Sequence, residues 1–238
     1  MIVVILAGGK GTRLAEFTKT IPKPMVLVKN KPIIHHIIDI YSNFGFKNFI
    51  IATGYKGNLI KEYFNKNKIS KKLNIKTIYT GLNTMTGGRI LKLKSHLKEN
   101  KFLLTYGDGI ANINLNKLIK FSTKHDKILT VTAVRPPARF GYLRVNKKNE
   151  VIDFNEKKQT NEGWINGGFF ICKKEIFNFI NNSSTFFERE PMTNLSKVKQ
   201  LVAYKHNGFW QCMDTIRDHE YLNSITSKNK TYPWNEFR

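Results

Sequence analysis

The chain has 238 residues, enough for one large globular domain with a sizeable core. Its 41% hydrophobic and 12% aromatic content excludes a disordered basic tail, even though 40 Lys and Arg against 17 Asp and Glu leave a formal charge of +23. No apolar run approaches the roughly 20 residues of a membrane-spanning helix, and Ile2–Ala7 is too short, and lacks a preceding charge, for a secretory signal; a soluble cytoplasmic protein is expected.

Clustered Lys and Arg would point to nucleic acid, because they neutralise phosphates and release counterions. Here the lysines are spread along the whole chain, with the densest run at residues 66–72. A solvated basic surface is therefore preferred, and neither a nucleic-acid nor a membrane partner is expected. Cys172 and Cys212 make no disulfide framework and no zinc spacing, and read as buried free thiols.

In chain order, Ile2–Leu6 is a short β-branched apolar run ending in glycines, the pattern of a buried parallel strand. Pro32 opens a helix through Tyr41 that Gly45 ends. Asn48–Thr53 is a strand, Leu59–Phe64 a helix, Ile75–Tyr79 a strand, Ile90–Leu97 a helix and Phe102–Tyr106 a strand. The alternation implies βαβ units and a mostly parallel sheet, with ligands beyond the carboxyl ends of the strands. After about residue 130 the pattern becomes β-rich: Leu129–Val134, Tyr142–Val145, Val151–Asn155, Gly168–Cys172 and Leu201–Lys205, with helices at Glu175–Ile180 and Thr215–Ser227. The reading is α/β with added antiparallel strands in the C-terminal half. No linker divides residues 1–130 from 131–238, and there is no internal repeat, so a single domain is expected.

The first strand runs into Leu6-Ala7-Gly8-Gly9-Lys10-Gly11-Thr12-Arg13-Leu14. Three glycines in four positions let backbone N–H groups approach a phosphate, and Arg13 adds a permanently charged fork. A Walker A loop would need Ser or Thr after Lys10, and a dinucleotide fingerprint would need glycine at Leu14. Taken alone, the stretch is as well explained by a tight strand-to-helix turn. Pro22-Lys23-Pro24 then holds one lysine between two residues that restrict its backbone. Together the two motifs resemble the signature of the sugar-1-phosphate nucleotidyltransferases, enzymes with a Rossmann-like core.

Six further stretches recur in that family's order: residues 54–57, 85–89, 105–109, 139–141, 165–170 and 208–215. Together they resemble the branch that acts on CTP and glucose 1-phosphate, over residues 1 to about 234. The resemblance implies CDP-glucose and pyrophosphate as products, in supply of deoxysugars for a bacterial surface polysaccharide; the alternatives are the same chemistry on another sugar 1-phosphate or with UTP or dTTP and, more remotely, a non-catalytic nucleic-acid-binding protein on the same fold. There are departures from the family pattern. The chain passes directly from Ile75–Tyr79 to Gly81, where the family carries a long excursion of the kind that serves function or assembly, so a homo-oligomer is left open. Glu156-Lys157-Lys158 stands where the family has Glu-Lys-Pro.

By the same resemblance, Asp108 and Asp214 hold one Mg²⁺, an ion that takes one or two carboxylates together with substrate phosphates. Read without it, Asp108 is a turn aspartate and Asp214 a helix N-cap. The resemblance implies that Arg13 grips the triphosphate and Lys23 the reacting phosphates, as the catalytic cations. It assigns Leu6, Ala7, Gly8, Gly9, Gly11, Thr12, Thr84, Arg89 and Gly107 to the nucleotide. Gly141, Glu156, Lys157, Asn166 and Gly168 it assigns to the sugar. Trp210 reads as core packing first and cleft lining second, and His35 and His36 as helix residues.

Overall fold

A computed structural model describes residues 1–67, 69, 72–136, 142–155, 163–226 and 231–237. Strand β1 (Val3–Ala7) is buried on both faces, as its unbroken β-branched run requires: Val3, Ile5 and Ala7 enter one core cluster, Val4 and Leu6 the other. A 3₁₀ turn (Thr12–Leu14) and the short helix α1 (Ala15–Thr18) follow. Lys23–Met25 forms a second 3₁₀ turn, leading to the hairpin β2 (Leu27–Val28) and β3 (Lys31–Pro32). Lys29 and Asn30 at its tip both have positive φ, the geometry of a two-residue primed turn.

Helix α2 (Ile33–Ser42), strand β4 (Asn48–Thr53), helix α3 (Gly57–Lys66) and strand β5 (Asn74–Tyr79) complete the expected βαβ run. Helix α4 (Thr86–Lys92) starts earlier than expected, and its continuation through Lys94–His96 is 3₁₀. Strand β6 (Lys101–Tyr106) is as read. The short strand β7 (Gly109–Ala111) and helix α5 (Leu115–His125), N-capped by Asn114, were not anticipated.

Strands β8 (Leu129–Val134), β9 (Tyr142–Val145), β10 (Val151–Asn155) and β11 (Ile165–Lys173) follow. The helix expected at Glu175–Ile180 is a 3₁₀ stretch, Lys174–Phe179. Helix α6 (Glu190–Lys197), strand β12 (Leu201–His206), strand β13 (Trp210–Cys212) and helix α7 (Ile216–Ser224) close the chain; α6 and β13 were also unanticipated.

The main sheet has seven strands in the order β12-β8-β11-β6-β1-β4-β5. Only β11 runs antiparallel within it, between β6 and β8. One face is covered by α2, α3, α5, α7 and Trp234, the other by α4, the 3₁₀ stretch after β11 and α6. Consequently β1, β4, β5 and β6 all deliver their carboxyl ends to one edge, and β11 enters at the same edge.

Candidate active site

A cleft of about 1110 Å³ lies along that edge. Leu6, Ala7, Gly8, Gly9, Gly11, Thr12, Arg13, Lys23, Thr84, Arg89, Gly107, Asp108, Asn166, Gly168 and Asp214 all line it. The sequence assignments to Gly141, Glu156 and Lys157 lie outside the described residues.

Asp108 and Asp214 meet because β7 and β13 pair antiparallel, with Gly109 opposite Cys212. One step further, the Met213 N–H donates to the Asp108 carbonyl at 2.9 Å. The two carboxylates converge on Lys23 Nζ, at 2.6 Å from Asp108 and 2.5 Å from Asp214. Arg13, largely exposed, donates to the other oxygen of Asp214 at 3.0 Å. Burial alone would lower the Lys23 pKa, but Asp108 and Asp214 together outweigh it and raise it, so the ammonium keeps its charge through neutral pH.

Asp214 is not the cap of α7. Thr215 is: its side chain accepts from the Asp218 N–H, while Asp218 reaches back to the Thr215 N–H in a capping box. Asp218 also accepts from the Asp214 N–H (3.0 Å) and from Gln211 (3.0 Å). The turn carrying Asp214 is thus pinned from below, and the Asp214 carboxylate is left for the cleft.

The donor set suits a divalent metal. The two hard carboxylates already converge on one cationic nitrogen, although the described residues hold no cluster of three or more His, Cys, Asp or Glu side chains. A two-carboxylate site of this kind relies on substrate phosphates for its remaining ligands. Cys212 also lines the cleft, but burial and the neighbouring carboxylates push its thiol up to about 12, so it is not a nucleophile at neutral pH. It is half-buried; Cys172 is buried, and both are free.

Arg89 is buried more deeply than a simple base contact requires. Its guanidinium donates to the carbonyls of Gly8 (2.9 Å), Thr53 (3.2 Å) and Gly81 (2.8 Å) and to Thr80 Oγ1 (2.7 Å). Three loops are tied by one side chain. Gly8 is glycine for this reason: a Cβ there would stand 2.2 Å from Arg89 Nη1.

Several lining residues were given no role from the sequence: Thr86 and Tyr106, which lie within the family stretches 85–89 and 105–109, and Glu188, which lies outside them. Glu188 sits in an acidic-basic alternation, Glu188-Arg189-Glu190, that reads as solvated surface. Trp210 both packs against the core and lines the cleft, with its indole N–H on the Gly167 carbonyl at 2.8 Å.

Residues 2–221 match the profile of the nucleotidyl transferase family. The chain belongs to that family. Members act on a nucleoside triphosphate and a sugar 1-phosphate and generally use a divalent metal. Among relatives of this nucleotidyl transferase, a glucose-1-phosphate cytidylyltransferase of Salmonella typhimurium is 42% identical over 98% of both chains. A probable glucose-1-phosphate cytidylyltransferase of Bacillus subtilis is 38% identical over 97% of this chain and 98% of its own. Among solved structures, HddC of Yersinia pseudotuberculosis in complex with GMP-PN superposes with a TM-score of 0.74 at 26% identity, covering 93% of this chain and 97% of that one. Among the described residues, no helix is long and apolar enough to cross a membrane.

Proposed function

We propose that this nucleotidyl transferase moves the cytidylyl group of CTP onto glucose 1-phosphate, forming CDP-glucose and releasing pyrophosphate in the cytoplasm. The observation that carries the choice of base and sugar is the 42% identity to the Salmonella enzyme across nearly the full length of both chains. In this reading residues 1–238 are one domain, supported by one continuous sheet in which β11 of the second half pairs directly with β6 of the first.

The reaction joins two polyanions, so its barrier is set by positioning and charge neutralisation. An oxygen of the sugar phosphate attacks the α-phosphorus of CTP, and pyrophosphate departs in line. Asp108 and Asp214 would hold Mg²⁺, which when bound neutralises phosphate charge. Lys23 is the fixed cation at the reacting phosphates; its raised pKa makes it an electrostatic group and unsuited to act as a base. Arg13, at the open end of the glycine loop, grips the triphosphate tail. Leu6, Ala7, Gly8, Gly9, Gly11, Thr12, Thr84 and Gly107 bound the nucleotide, and Arg89 holds their loops in register. Asn166 and Gly168 face the sugar, with Gly141, Glu156 and Lys157 assigned to it by the family pattern.

The test is pyrophosphate release with ATP, CTP, GTP and UTP against glucose, mannose and heptose 1-phosphates. The reading requires the highest kcat/KM for CTP with glucose 1-phosphate. A guanylyl or uridylyl preference, or a different preferred sugar, overturns it and leaves the family membership standing.

A further inference from the structure

Four carboxylates among the described residues line the cleft. Asp108 and Asp214 face Lys23, and Asp218 is consumed by the turn before α7. Glu188 is different: it is exposed, and no Lys or Arg of the described residues pairs with it.

Its position is nevertheless fixed. The segment before it docks backbone to backbone on the start of α4, with Met85 N–H on the Ser183 carbonyl (2.9 Å) and Gly87 N–H on the Thr185 carbonyl (3.0 Å). A Cβ at Gly88 would stand 2.3 Å from the Ser183 oxygen, so this approach needs glycine there. Phe187 is buried in the core and donates its N–H to Thr86 Oγ1 at 2.9 Å. The Thr86 hydroxyl in turn donates to Glu188 Oε2 at 2.7 Å. On the other side the Tyr106 hydroxyl donates to Glu188 Oε1 at 2.6 Å and accepts from Asn166 Nδ2 at 3.1 Å.

The result is a one-way relay, Asn166 to Tyr106 to Glu188, with Thr86 closing it. An ionised carboxylate offers about four acceptor sites, two of which are taken, and the Asn166 amide has two hydrogens, one of which is taken. An acceptor beside a donor suits a hydroxyl group, which does both. It does not suit a phosphate, which would meet an uncompensated negative charge.

We infer that Glu188 accepts a hydrogen bond from a ring hydroxyl of the sugar 1-phosphate, and that with Asn166 it determines which hydroxyl the enzyme requires. This rests on the proposal that the cleft takes glucose 1-phosphate. Residues 183–188, which carry Glu188, thereby join the nucleotide loop at Thr86 to the sugar wall at Asn166.

The experiment compares kcat/KM for glucose 1-phosphate and its 2-, 3-, 4- and 6-deoxy forms, in the wild type and in Glu188→Gln, a variant of the same size that keeps an oxygen for Tyr106. A site built to bond a hydroxyl rejects the analogue lacking it strongly. The wild type should use one deoxy sugar at least about 30-fold less well than glucose 1-phosphate, whereas Glu188→Gln should treat the two alike within about threefold, with the KM for CTP unchanged. Wild-type ratios in Glu188→Gln for all four deoxy sugars overturn the inference. So does a variant whose selectivity changes toward 2′- or 3′-deoxy-CTP instead, since the hydroxyl is then the ribose's. If Glu188→Gln does not fold, Glu188→Asp withdraws the acceptor by one methylene and is judged by the same ratios. A wild type that prefers another sugar phosphate defeats the functional reading alone; the deoxy series of that sugar then tests Glu188.

Discussion

Lys23 and Asp108 are 85 residues apart in the chain and 2.6 Å apart in the cleft. The same ammonium reaches Asp214 at 2.5 Å, so one lysine side chain stands where two carboxylates would hold a metal. A divalent ion entering the free protein must compete with it, whereas substrate phosphates give the lysine somewhere else to go.

The expected outcome separates charge from turnover. Lys23→Ala should lower kcat by about 10²–10³-fold, the loss typical of one electrostatic donor, yet bind Mn²⁺ more tightly than the wild type when no nucleotide is present. Asp108→Asn and Asp214→Asn should lose both turnover and Mn²⁺ binding. Mn²⁺ titration followed by electron paramagnetic resonance reads this directly. A Lys23→Ala variant with weaker Mn²⁺ binding would refute the competition.

Much of this was legible in the sequence, and the gaps have physical causes. The glycine loop and Pro22-Lys23-Pro24 announced a phosphate site because local backbone chemistry is written in Gly and Pro. Strands β1, β4 and β6 were readable because burial on both faces demands nearly unbroken apolar runs, and the half-exposed edge strand β5 because it follows them in the βαβ alternation. By contrast, β7 and β13 are three residues each, too short for periodicity, and it is their pairing that brings Asp108 to Asp214. Helix α5 was missed because its apolar positions, Leu115, Leu118, Ile119 and Phe121, lie among lysines and polar residues. Arg89 was assigned to the nucleotide, but nothing in Thr86-Gly87-Gly88-Arg89 reveals the four oxygens from three loops that it also holds.

Asp218 acts on Asp214 through the turn it pins. Asp218→Asn should raise the metal concentration for half-maximal rate several-fold and leave the KM for CTP nearly unchanged. A cap contact of this type is worth about 1 kcal/mol, so the melting temperature should fall only modestly. Asp218→Glu should restore part of the metal dependence, because Glu serves well at the same capping-box position. Loss of CTP binding with intact metal dependence would contradict the positioning role.

Adjacent glycines should behave in opposite ways. Gly8→Ala drives a methyl into the Arg89 guanidinium, while a Cβ at Gly9 meets nothing within 4 Å. Gly8→Ala should therefore lower thermal stability markedly and reduce kcat/KM for CTP, with Gly9→Ala within about 0.5 kcal/mol of wild type in stability. Arg89→Ala strands the Gly81 carbonyl, while Gly8 keeps the Tyr55 N–H and Thr53 keeps Thr80 as donors, and should cost about 1–3 kcal/mol. It should also weaken CTP use. Denaturant unfolding of the three variants decides the matter, and an Arg89→Ala protein of wild-type stability would return Arg89 to a purely ligand-facing role.

The last prediction concerns acid. His36 is 2% exposed, with Nε2 at 2.8 Å from the Val28 carbonyl and Nδ1 at 3.2 Å from the indole N–H of Trp234. That pattern fixes the neutral ring: Nε2 carries the proton and Nδ1 accepts. Burial is the main cause that lowers its pKa to about 4, against 6.5 when unfolded. The unfolded chain therefore binds a proton that the folded chain refuses, so stability is complete above about pH 6.5 and is lost as the pH falls toward 4. The full shift corresponds to about 3 kcal/mol. Burial also lowers His35 and His206, which push in the same direction. His36→Gln keeps an N–H for Val28 and removes the titration; it should be less stable than wild type at pH 7.5 yet lose less stability between pH 6.5 and 4. Urea unfolding at several pH values measures both curves. If they run parallel, the acid sensitivity belongs to other groups and His36 does not set it.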